Sequence, residues 1–291
     1  MQTDYDKLEA AIRSFKGEDM LGQFMDQVDI NLYSQGKTLL HHAVDADNVL
    51  ATTLLLSRGA RVDAEDLHEE TPLHLAKSHT IAALLLRRGA CVKRRRTDGA
   101  TPLHTCLCPT QMKLLLQLGA EVNAKTIKGE TPLHVCKSAA SAALLVDDGG
   151  ADVNATNCNQ YTPLHLASSF GRWQVVVALL ERNASVDMKD HCGRTAMDIA
   201  RAVLGIFAKM ESRTTDHEND KVELVRTMKT LALWSCGRRK GLSNAMLIEE
   251  LAWSSMRSLC CDPKAALTRI LPLDLANTIV VEWLGPWSLA E

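Results

Sequence analysis

The sequence predicts an all-α repeat protein, a solenoid in which helix-turn-helix units joined by hairpin loops stack side by side. Three observations lead to this prediction. A Thr-Pro-Leu-His tetrapeptide, or a variant of it, returns every 30 to 33 residues. A leucine-rich block follows each copy, and a glycine usually ends that block. Aromatic residues make up only 4% of the 291 residues, which is too few for most β-sandwiches.

Each tetrapeptide has the composition of a helix start. Threonine is a good N-cap residue, proline is favoured at the first helical position, and leucine then begins an apolar stripe. The sequence therefore predicts a short first helix in every unit. The threonines that open these helices are Thr38, Thr71, Thr101, Thr131, Thr162 and, in an altered last copy, Thr195.

The leucine-rich blocks predict a second helix in each unit. Gly59, Gly89 and Gly119 follow three of these blocks and suit the left-handed residue that ends many helices. A short extended link and a turn then lead to the next threonine. One such unit cannot bury its apolar face alone, so neighbouring units must stack.

The tetrapeptides, together with Gly-Ala-x-Val-Asn links at 119–123 and 150–154, resemble the ankyrin-repeat family. The resemblance covers residues 5–235 and implies a stack whose finger-like loops and first helices form a concave, protein-binding face. The predicted domains are a degenerate N-terminal capping repeat at 1–30, ankyrin repeats at 31–235 with a polar insertion at 211–220 in the last one, and a helical C-terminal module at 236–291.

Three of the expected repeats, which number about six, are shorter than the others. The interval from threonine to glycine is 18 residues in 71–89 and 21 residues in 38–59. The missing residues are expected between the two helices, where 170–173 fill a longer connection in the fifth repeat. Removing about one turn shortens the first helix by roughly 4.5 Å. We therefore expect a change of curvature, or a notch on the concave side, over residues 73–118.

Five histidines recur at the repeat spacing, and their position favours a structural role. The third helical position suits a ring whose nitrogens hydrogen-bond backbone groups of the adjoining loops. A metal site is not expected, because the histidines occur once per repeat, roughly 10 Å apart, which is too far to share one ion. They are His41, His74, His104, His134 and His165.

No motif in the sequence predicts a catalytic or cofactor site. A glycine-rich phosphate loop, a nucleophile elbow and a pair of carboxylates with a basic partner are all missing from it. Cys106 and Cys136 occupy the position that Ala76 and Ala167 hold in other repeats, which predicts small, buried side chains. The chain is therefore expected not to be an enzyme, to need no cofactor or metal, and to bind no small-molecule substrate.

Charge and composition favour a cytoplasmic protein. The net charge of -2 gives no global reason for binding nucleic acid or an anionic membrane. The nine cysteines show no regular spacing, and Met1–Lys7 lacks the apolar core of a signal peptide. One basic run, Lys93–Arg96, falls on the hairpin between the second and third repeats, where its side chains are expected to project freely. It is interpreted as a solvated finger tip, or else as a nuclear-localisation signal or a site for an acidic partner.

The finger tips are the predicted partner-binding surface. Leu67 and Ile127 are apolar at positions where solvent is expected, which favours contact with another protein. Trp173 is placed in the connection between two helices, facing either the core or an interface. The candidate partner-binding residues are Leu67, His68, Arg94, Arg95, Arg96, Ile127, Lys128, Asn157, Asn159 and Trp173.

The C-terminal tail indicates a separate role. Ser255–Cys260 resembles the elongin-binding stretch of a SOCS box, and Leu271–Leu275 resembles its Leu-Pro-Leu-Pro element. The stretch Leu271–Ile279 equally resembles the truncated F-box of poxvirus-type ankyrin proteins. Either resemblance implies docking to a ubiquitin ligase through elongin/cullin-type or Skp-type proteins, with the repeats choosing the substrate. Two alternatives stay open, a tail that only caps the last repeat and an enzymatic effector within 236–291. The implied docking residues are Met256, Leu259, Cys260, Leu271, Pro272 and Leu275.

Overall fold

The structure, a computed structural model, describes residues 9–10, 12–13, 29–209, 225–232 and 234, with residues 204–209 described by their backbone alone. It confirms the predicted all-α repeat architecture. Within these residues lie five helix pairs, which define repeats 1 to 5, and a sixth first helix. The helices are α1 (Leu39–Asp45), α2 (Val49–Ser57), α3 (Pro72–Leu75), α4 (His79–Arg87), α5 (Pro102–Thr105), α6 (Pro109–Gln117), α7 (Pro132–Val135), α8 (Ala139–Asp147), α9 (Pro163–Ser169), α10 (Trp173–Glu181) and α11 (Ala196–Lys209).

The first helices of repeats 1 to 5 all begin with the same threonine–histidine arrangement. In repeat 2 the backbone N–H of Thr71 donates to Nδ1 of His74 at 3.1 Å, and the Thr71 hydroxyl lies 2.9 Å from the same nitrogen. The other ring nitrogen, Nε2, donates at 3.2 Å to the carbonyl oxygen of Ala100, the residue before the threonine of repeat 3. The predicted structural role of the histidines is therefore confirmed.

These histidine bonds tie the starts of neighbouring first helices together, so the helices are aligned at their N-terminal ends. The other Nε2 bonds, between 2.9 and 3.2 Å long, join His41 to Glu70, His104 to Glu130, His134 to Tyr161 and His165 to Arg194.

Leucines form a continuous core between the first helices and the second helices. Each first helix packs against the first helix of the next repeat, and the second helices pack in the same way. Burying one leucine stabilises the fold by about 1.5–3 kcal/mol, so each repeat depends on its neighbours for most of its stability. The core leucines, none more than 1% exposed, are Leu40, Leu73, Leu103, Leu133 and Leu164 in the first helices and Leu55, Leu85, Leu115, Leu145 and Leu179 in the second.

Repeats 2 to 4 have shorter first helices than repeats 1 and 5. Helices α3, α5 and α7 have four residues each, whereas α1 and α9 have seven. The connection to the second helix is three residues long in all five repeats. The predicted shortening of the first helix is confirmed, but the missing residues do not come from the connection, and that expectation was wrong. Trp173 accordingly begins α10 and does not lie in a connection.

An extended segment replaces the missing helical turn. In repeats 1 and 5 the first helix ends in a compact turn, in which Asp47 and Gly171 take the left-handed φ values of 54° and 64°. In a short repeat the residue after the first helix is extended, as at Ala76 with φ -63° and ψ 116°. An extended residue advances about 3.3 Å against 1.5 Å in a helix, so three residues suffice to reach a second helix of unchanged length. The change of curvature expected over residues 73–118 stays a prediction.

Helix α11 keeps the same capping geometry with a different residue. Asp198 stands at the histidine position, and its Oδ2 accepts from the backbone N–H of Thr195 at 3.0 Å and from the Thr195 hydroxyl at 2.7 Å. An ionised carboxylate has no hydrogen to donate to a further repeat, which fits a closing repeat. Residues 225–232 are helical, whereas the predicted insertion at 211–220 and the predicted module at 236–291 lie outside the described residues.

Candidate protein-binding surface

The finger loops form a row along one edge of the repeat stack. At four of the tips a backbone N–H donates to a carbonyl oxygen of the preceding tip, with lengths between 2.8 and 3.1 Å. These bonds hold five fingers together as a rigid rim, which we call the finger row. The bonds run from Thr97 to His68, Ile127 to Asp98, Cys158 to Lys128 and His191 to Asn159.

Two apolar side chains stand out of the finger row. Leu67 is 77% exposed and Ile127 is 73% exposed. They lie two fingers apart, which at roughly 10 Å per repeat separates them by about 20 Å. His68, Lys128 and Asn159 are also exposed beside them. The sequence prediction of apolar finger tips in contact with solvent is confirmed.

Glycines let successive fingers approach closely beneath these two side chains. Gly36 has a φ of +80°, and a β-carbon there would overlap the side chain of Leu67. Gly99 has the same φ, and a β-carbon there would lie 3.2 Å from the backbone nitrogen of Ile127. The side chain of Leu67 therefore packs against a glycine of the preceding finger, and at Ile127 it is the backbone that lies close to such a glycine.

Polar side chains inside the fingers hold the loops in shape. Oδ1 of Asp66 accepts from the backbone N–H of His68 at 2.8 Å. The amide oxygen of Asn157 accepts in the same way from the backbone N–H groups of Asn159 and Tyr161, both at 2.9 Å. Asn157 is buried. Its side chain is largely covered and holds the loop in shape, and its role in partner binding stays a prediction.

The three arginines of the basic run do not project freely, which corrects the expectation for them. Each of the three forms an ion pair with a carboxylate of its own finger or of an adjacent repeat. The guanidinium of Arg96, through its hydrogen bonds, holds the pKa of the Asp98 carboxyl at about 2. The pairs are Arg94–Glu65 at 3.2 Å, Arg95–Glu121 at 3.0 Å, Arg96–Glu70 at 2.5 Å and Arg96–Asp98 with two bonds of 2.7 Å.

Lys93 explains why an ion pair takes the place of one hydrogen bond between repeats 2 and 3. At the position of Lys93 the preceding repeat carries Asp63, whose Oδ1 accepts from the backbone N–H of Cys91 in the next repeat at 3.0 Å. A lysine side chain has no acceptor atom, so repeat 2 cannot form this bond to repeat 3. Arg95 joins the same two repeats through Glu121 instead.

Trp173 lies at the helix end of the repeat, away from the finger row. Its ring is half-buried, and the guanidinium of Arg226 lies 5.7 Å from the ring centroid, within the range of a cation–π contact. The structure thus brings Leu67, His68, Ile127, Lys128 and Asn159 to one surface and leaves Trp173 out of it. The six docking residues implied for the tail lie outside the described residues.

The capping histidines and two buried thiols of the repeats are held in their neutral forms. Burial lowers the pKa of the five capping histidines, that of His134 to about 4. Cys106 and Cys136 are buried as predicted, and burial raises the pKa of both thiols to about 12. The described side chains contain no group of three or more His, Cys, Asp or Glu that could hold a metal ion. Of the helices in the described ranges, none has the length and apolar character needed to cross a bilayer.

Sequence analysis missed two exposed apolar residues at the edge opposite the fingers. Leu107 is 56% exposed and Phe170 is 64% exposed. Leu107 occupies the position that Lys77 and Lys137 hold in the repeats on either side. Aligning the repeats on their threonines reveals this exchange of a charged residue for an apolar one.

Comparison with known proteins identifies ankyrin repeats in two stretches of the chain, residues 8–96 and 128–200. Three family models match the chain: "Ankyrin repeats (3 copies)" over residues 8–96, "Ankyrin repeat" over 128–158 and "Ankyrin repeats (many copies)" over 144–200. The comparison with curated proteins gives no match.

Two solved structures similar to this chain are ankyrin repeat domains. That of Bcl-3, described as a unique member of the IkappaB protein family, is 29% identical with a TM-score of 0.53, covering 69% of this chain and 97% of that one. The ankyrin repeat domain of human ASB11 is 23% identical with a TM-score of 0.59, covering 75% of this chain and 96% of that one. The second likeness shows the fold alone.

Proposed function

Because this chain belongs to the ankyrin-repeat family, we propose that it is a non-catalytic scaffold that binds a partner protein through the finger row and the first helices. One observation carries the proposal. Leu67 and Ile127 stand exposed on fingers that backbone hydrogen bonds tie to one another.

The energetics favour these two residues as the centre of an interface. Each side chain would contribute about 1.5–3 kcal/mol if a partner covered it fully. The fingers are already ordered by their tip-to-tip bonds, so little conformational entropy is lost when a partner binds. A rigid pair of apolar side chains about 20 Å apart fits within an interface of standard size.

The polar surroundings suit a partner surface without a strong charge. Arg94, Arg95 and Arg96 are neutralised by carboxylates of the stack itself. His68 and Lys128 lie exposed next to the apolar side chains and supply hydrogen bonds at the rim. The partner is therefore expected to present apolar side chains to the finger row with polar groups around them.

The test compares a double variant, Leu67→Ser with Ile127→Ser, with a matched control, Leu118→Ser. Leu118 is 50% exposed at the end of a second helix, so the control removes a similar side chain elsewhere. Proteins that co-purify with the full chain from cells are quantified by mass spectrometry for all three versions. We expect at least one partner to fall by about tenfold or more with the double variant and to stay with the control. Equal recovery of every partner with all three versions contradicts the proposal.

The finer proposal is that the scaffold serves as the substrate receptor of a ubiquitin ligase. It rests on the resemblance of Ser255–Cys260 and Leu271–Leu275 to a SOCS box, or of Leu271–Ile279 to a truncated F-box. In that arrangement the tail contacts elongin/cullin-type or Skp-type proteins while the finger row holds the substrate.

The single variants Met256→Asp and Leu275→Asp test the finer proposal. Loss of ligase-core proteins from the full chain, with the finger-row partners retained, supports the receptor. If the tail is dispensable for every partner, the chain is a plain scaffold or inhibitor whose tail is a cap. Enzymatic activity that depends on residues 236–291 would instead favour an effector.

A further inference from the structure

The edge opposite the finger row carries exposed apolar and positively charged side chains in repeats 3 to 5. Each finger leads directly into the start of a first helix, so the helix connections lie at the far end of the repeat. We call this surface the helix-turn edge. It consists of the connections 106–108, 136–138 and 170–172 and the first turns of α6, α8 and α10.

Two apolar side chains are exposed on the helix-turn edge. Leu107 belongs to the extended connection of repeat 3, and Phe170 belongs to the compact turn of repeat 5. Both are more than half exposed. The two residues lie two repeats apart, a separation of about 16–20 Å at the usual distance between packed helices.

Positive charge without a carboxylate partner lies between and beside these side chains. In repeat 2, outside this edge, Lys77 is compensated by Asp45, whose Oδ1 lies 2.9 Å from the ammonium. Lys137, at the equivalent position in repeat 4, forms no ion pair with any described carboxylate. Arg172 donates to the carbonyl oxygen of Cys136 at 2.9 Å and stacks on Phe170 at 4.5 Å. Within the described ranges it too lacks an acidic partner.

The helix starts add to this positive potential. The second helices of repeats 3 to 5 have nine residues each, and none has an acidic residue in its first turn. Helix α8 is capped by the hydroxyl oxygen of Ser138, but α6 and α10 begin at Cys108 and Arg172 without a side-chain cap. The first N–H groups of these helices therefore favour a negative charge from outside. Consistent with this, hydrogen bonds from the Thr110 hydroxyl and backbone N–H groups lower the pKa of the Cys108 thiol.

We propose that the helix-turn edge of repeats 3 to 5 is a second docking surface, which binds an extended acidic segment of a partner protein. Two apolar side chains of the segment would cover Leu107 and Phe170, and its carboxylates would face Lys137 and the uncapped helix starts. An extended chain advances about 3.3 Å per residue, so the two apolar residues should stand five or six positions apart. Charge complementarity selects this occupant, because a neutral or basic segment would leave Lys137 and Arg172 without counter-charge.

The experiment selects random dodecapeptides on phage for binding to the full chain and measures the affinity of the selected peptides by fluorescence polarisation. We expect peptides with Asp or Glu between two apolar residues. Lys137→Glu, Leu107→Ser and Phe170→Ser should each weaken their binding at least about tenfold. Exchanging the acidic residues of a peptide for lysine should restore its binding to Lys137→Glu. All variants are first compared with the natural chain by thermal unfolding.

Matched controls separate this surface from the finger row. Lys128→Glu and Leu118→Ser change an exposed lysine and an exposed leucine elsewhere and should leave the affinity within about twofold. The proposal is overturned if no acidic peptide is selected, or if the selected peptides bind all variants equally. It is also overturned if Lys128→Glu weakens binding as much as Lys137→Glu, which would assign the peptides to the finger row.

Discussion

The two edges of the repeat stack differ in how much they vary from one repeat to the next. On the finger side each repeat is joined to its neighbour by a histidine–carbonyl bond, and four pairs of finger tips are joined by a backbone bond. On the helix-turn side the first helix has either four or seven residues, and the exposed residue at one position is lysine or leucine. Positions with hydrogen-bond partners across repeats are constrained, whereas those that face solvent are free to diverge.

The largest expected loss of stability comes from acid, which protonates the capping histidines on the finger side. The capping histidines are neutral when folded, and their pKa lies below the ordinary 6.5. Between pH 6.5 and the folded pKa the unfolded chain binds more protons, so the free energy of unfolding should fall as pH falls. For His134, with a folded pKa of about 4, this loss approaches about 3 kcal/mol by pH 4.

Urea unfolding at pH 7 and pH 4.5 measures this loss. The Asp98–Arg96 pair does not contribute in this range, because the Asp98 pKa of about 2 places its own effect at lower pH. A midpoint that stays constant between pH 7 and pH 4.5 contradicts the role given to the histidines.

Removing one capping histidine should destabilise the stack somewhat less. His134→Ala leaves the backbone N–H of Thr131 and the carbonyl of Tyr161 without their side-chain partner. The Tyr161 carbonyl still accepts from the backbone N–H of Asn157 at 3.0 Å. One unpaired N–H costs about 1–3 kcal/mol and the lost second bond to the carbonyl about 1 kcal/mol, so we expect a loss of about 2–4 kcal/mol in urea unfolding. His68→Ala, at an exposed finger tip, is the matched control and should change stability by less than about 0.5 kcal/mol. Equal effects of the two substitutions would mean that the histidine bonds do not hold the finger side together.

Substitutions in the compact turns of the two long repeats should have smaller effects on stability, and the two effects should differ in sign. Gly171 and Asp47 occupy the same left-handed position in repeats 5 and 1. Gly171→Ala should cost about 1 kcal/mol, because a β-carbon is unfavourable at this φ. Asp47→Gly should be neutral or stabilise by up to about 1 kcal/mol for the same reason. Thermal unfolding of both variants measures the difference, and a loss for Asp47→Gly would show that its side chain matters more than its φ.

The smallest effect on stability is expected between repeats 2 and 3, where an ion pair replaces one of the hydrogen bonds that join other neighbouring repeats. Arg95→Ala removes the ion pair with Glu121 that joins repeats 2 and 3. Both side chains are about half exposed, so the ion pair is expected to contribute about 0.5 kcal/mol, and this part of the loss should vanish in high salt. Arg95 also donates to the carbonyl oxygen of Lys125, and the loss of that bond should remain. Asn123→Ala, which removes a neutral bond to the backbone N–H of Asp152, is the control and should be insensitive to salt. Unfolding in low and high salt separates the two.

Prediction from the sequence succeeded where one repeat could be compared with the next. The helix starts, the capping histidines, the buried cysteines and the exposed tips of Leu67 and Ile127 all follow from residue type at a fixed position in the repeat. It failed where a side chain chooses a partner in another repeat. The ion pairs of Arg94 and Arg95 join residues 26 to 29 positions apart in the chain, and a basic run alone does not reveal the carboxylates that fold against it.

The prediction of where the missing turn lies was wrong for a related reason. Counting from Thr71 to Gly89 shows that three residues are absent but not whether they leave the helix or the connection. The structure shows that they leave the first helix. The first helices are aligned at their N-terminal ends, and the second helices all have the same length. Both require neighbouring repeats to be in contact.

Local chemistry was enough to establish the repeat, its helix caps and the residue types at its tips, because each depends on interactions within about four residues along the chain. The pairing of charges, the burial of Asn157 and the exposure of Leu107 and Phe170 depend on atoms contributed by other parts of the chain. Such contacts arise when the units stack, since an isolated repeat has no neighbour against which to bury a side chain or satisfy a hydrogen bond.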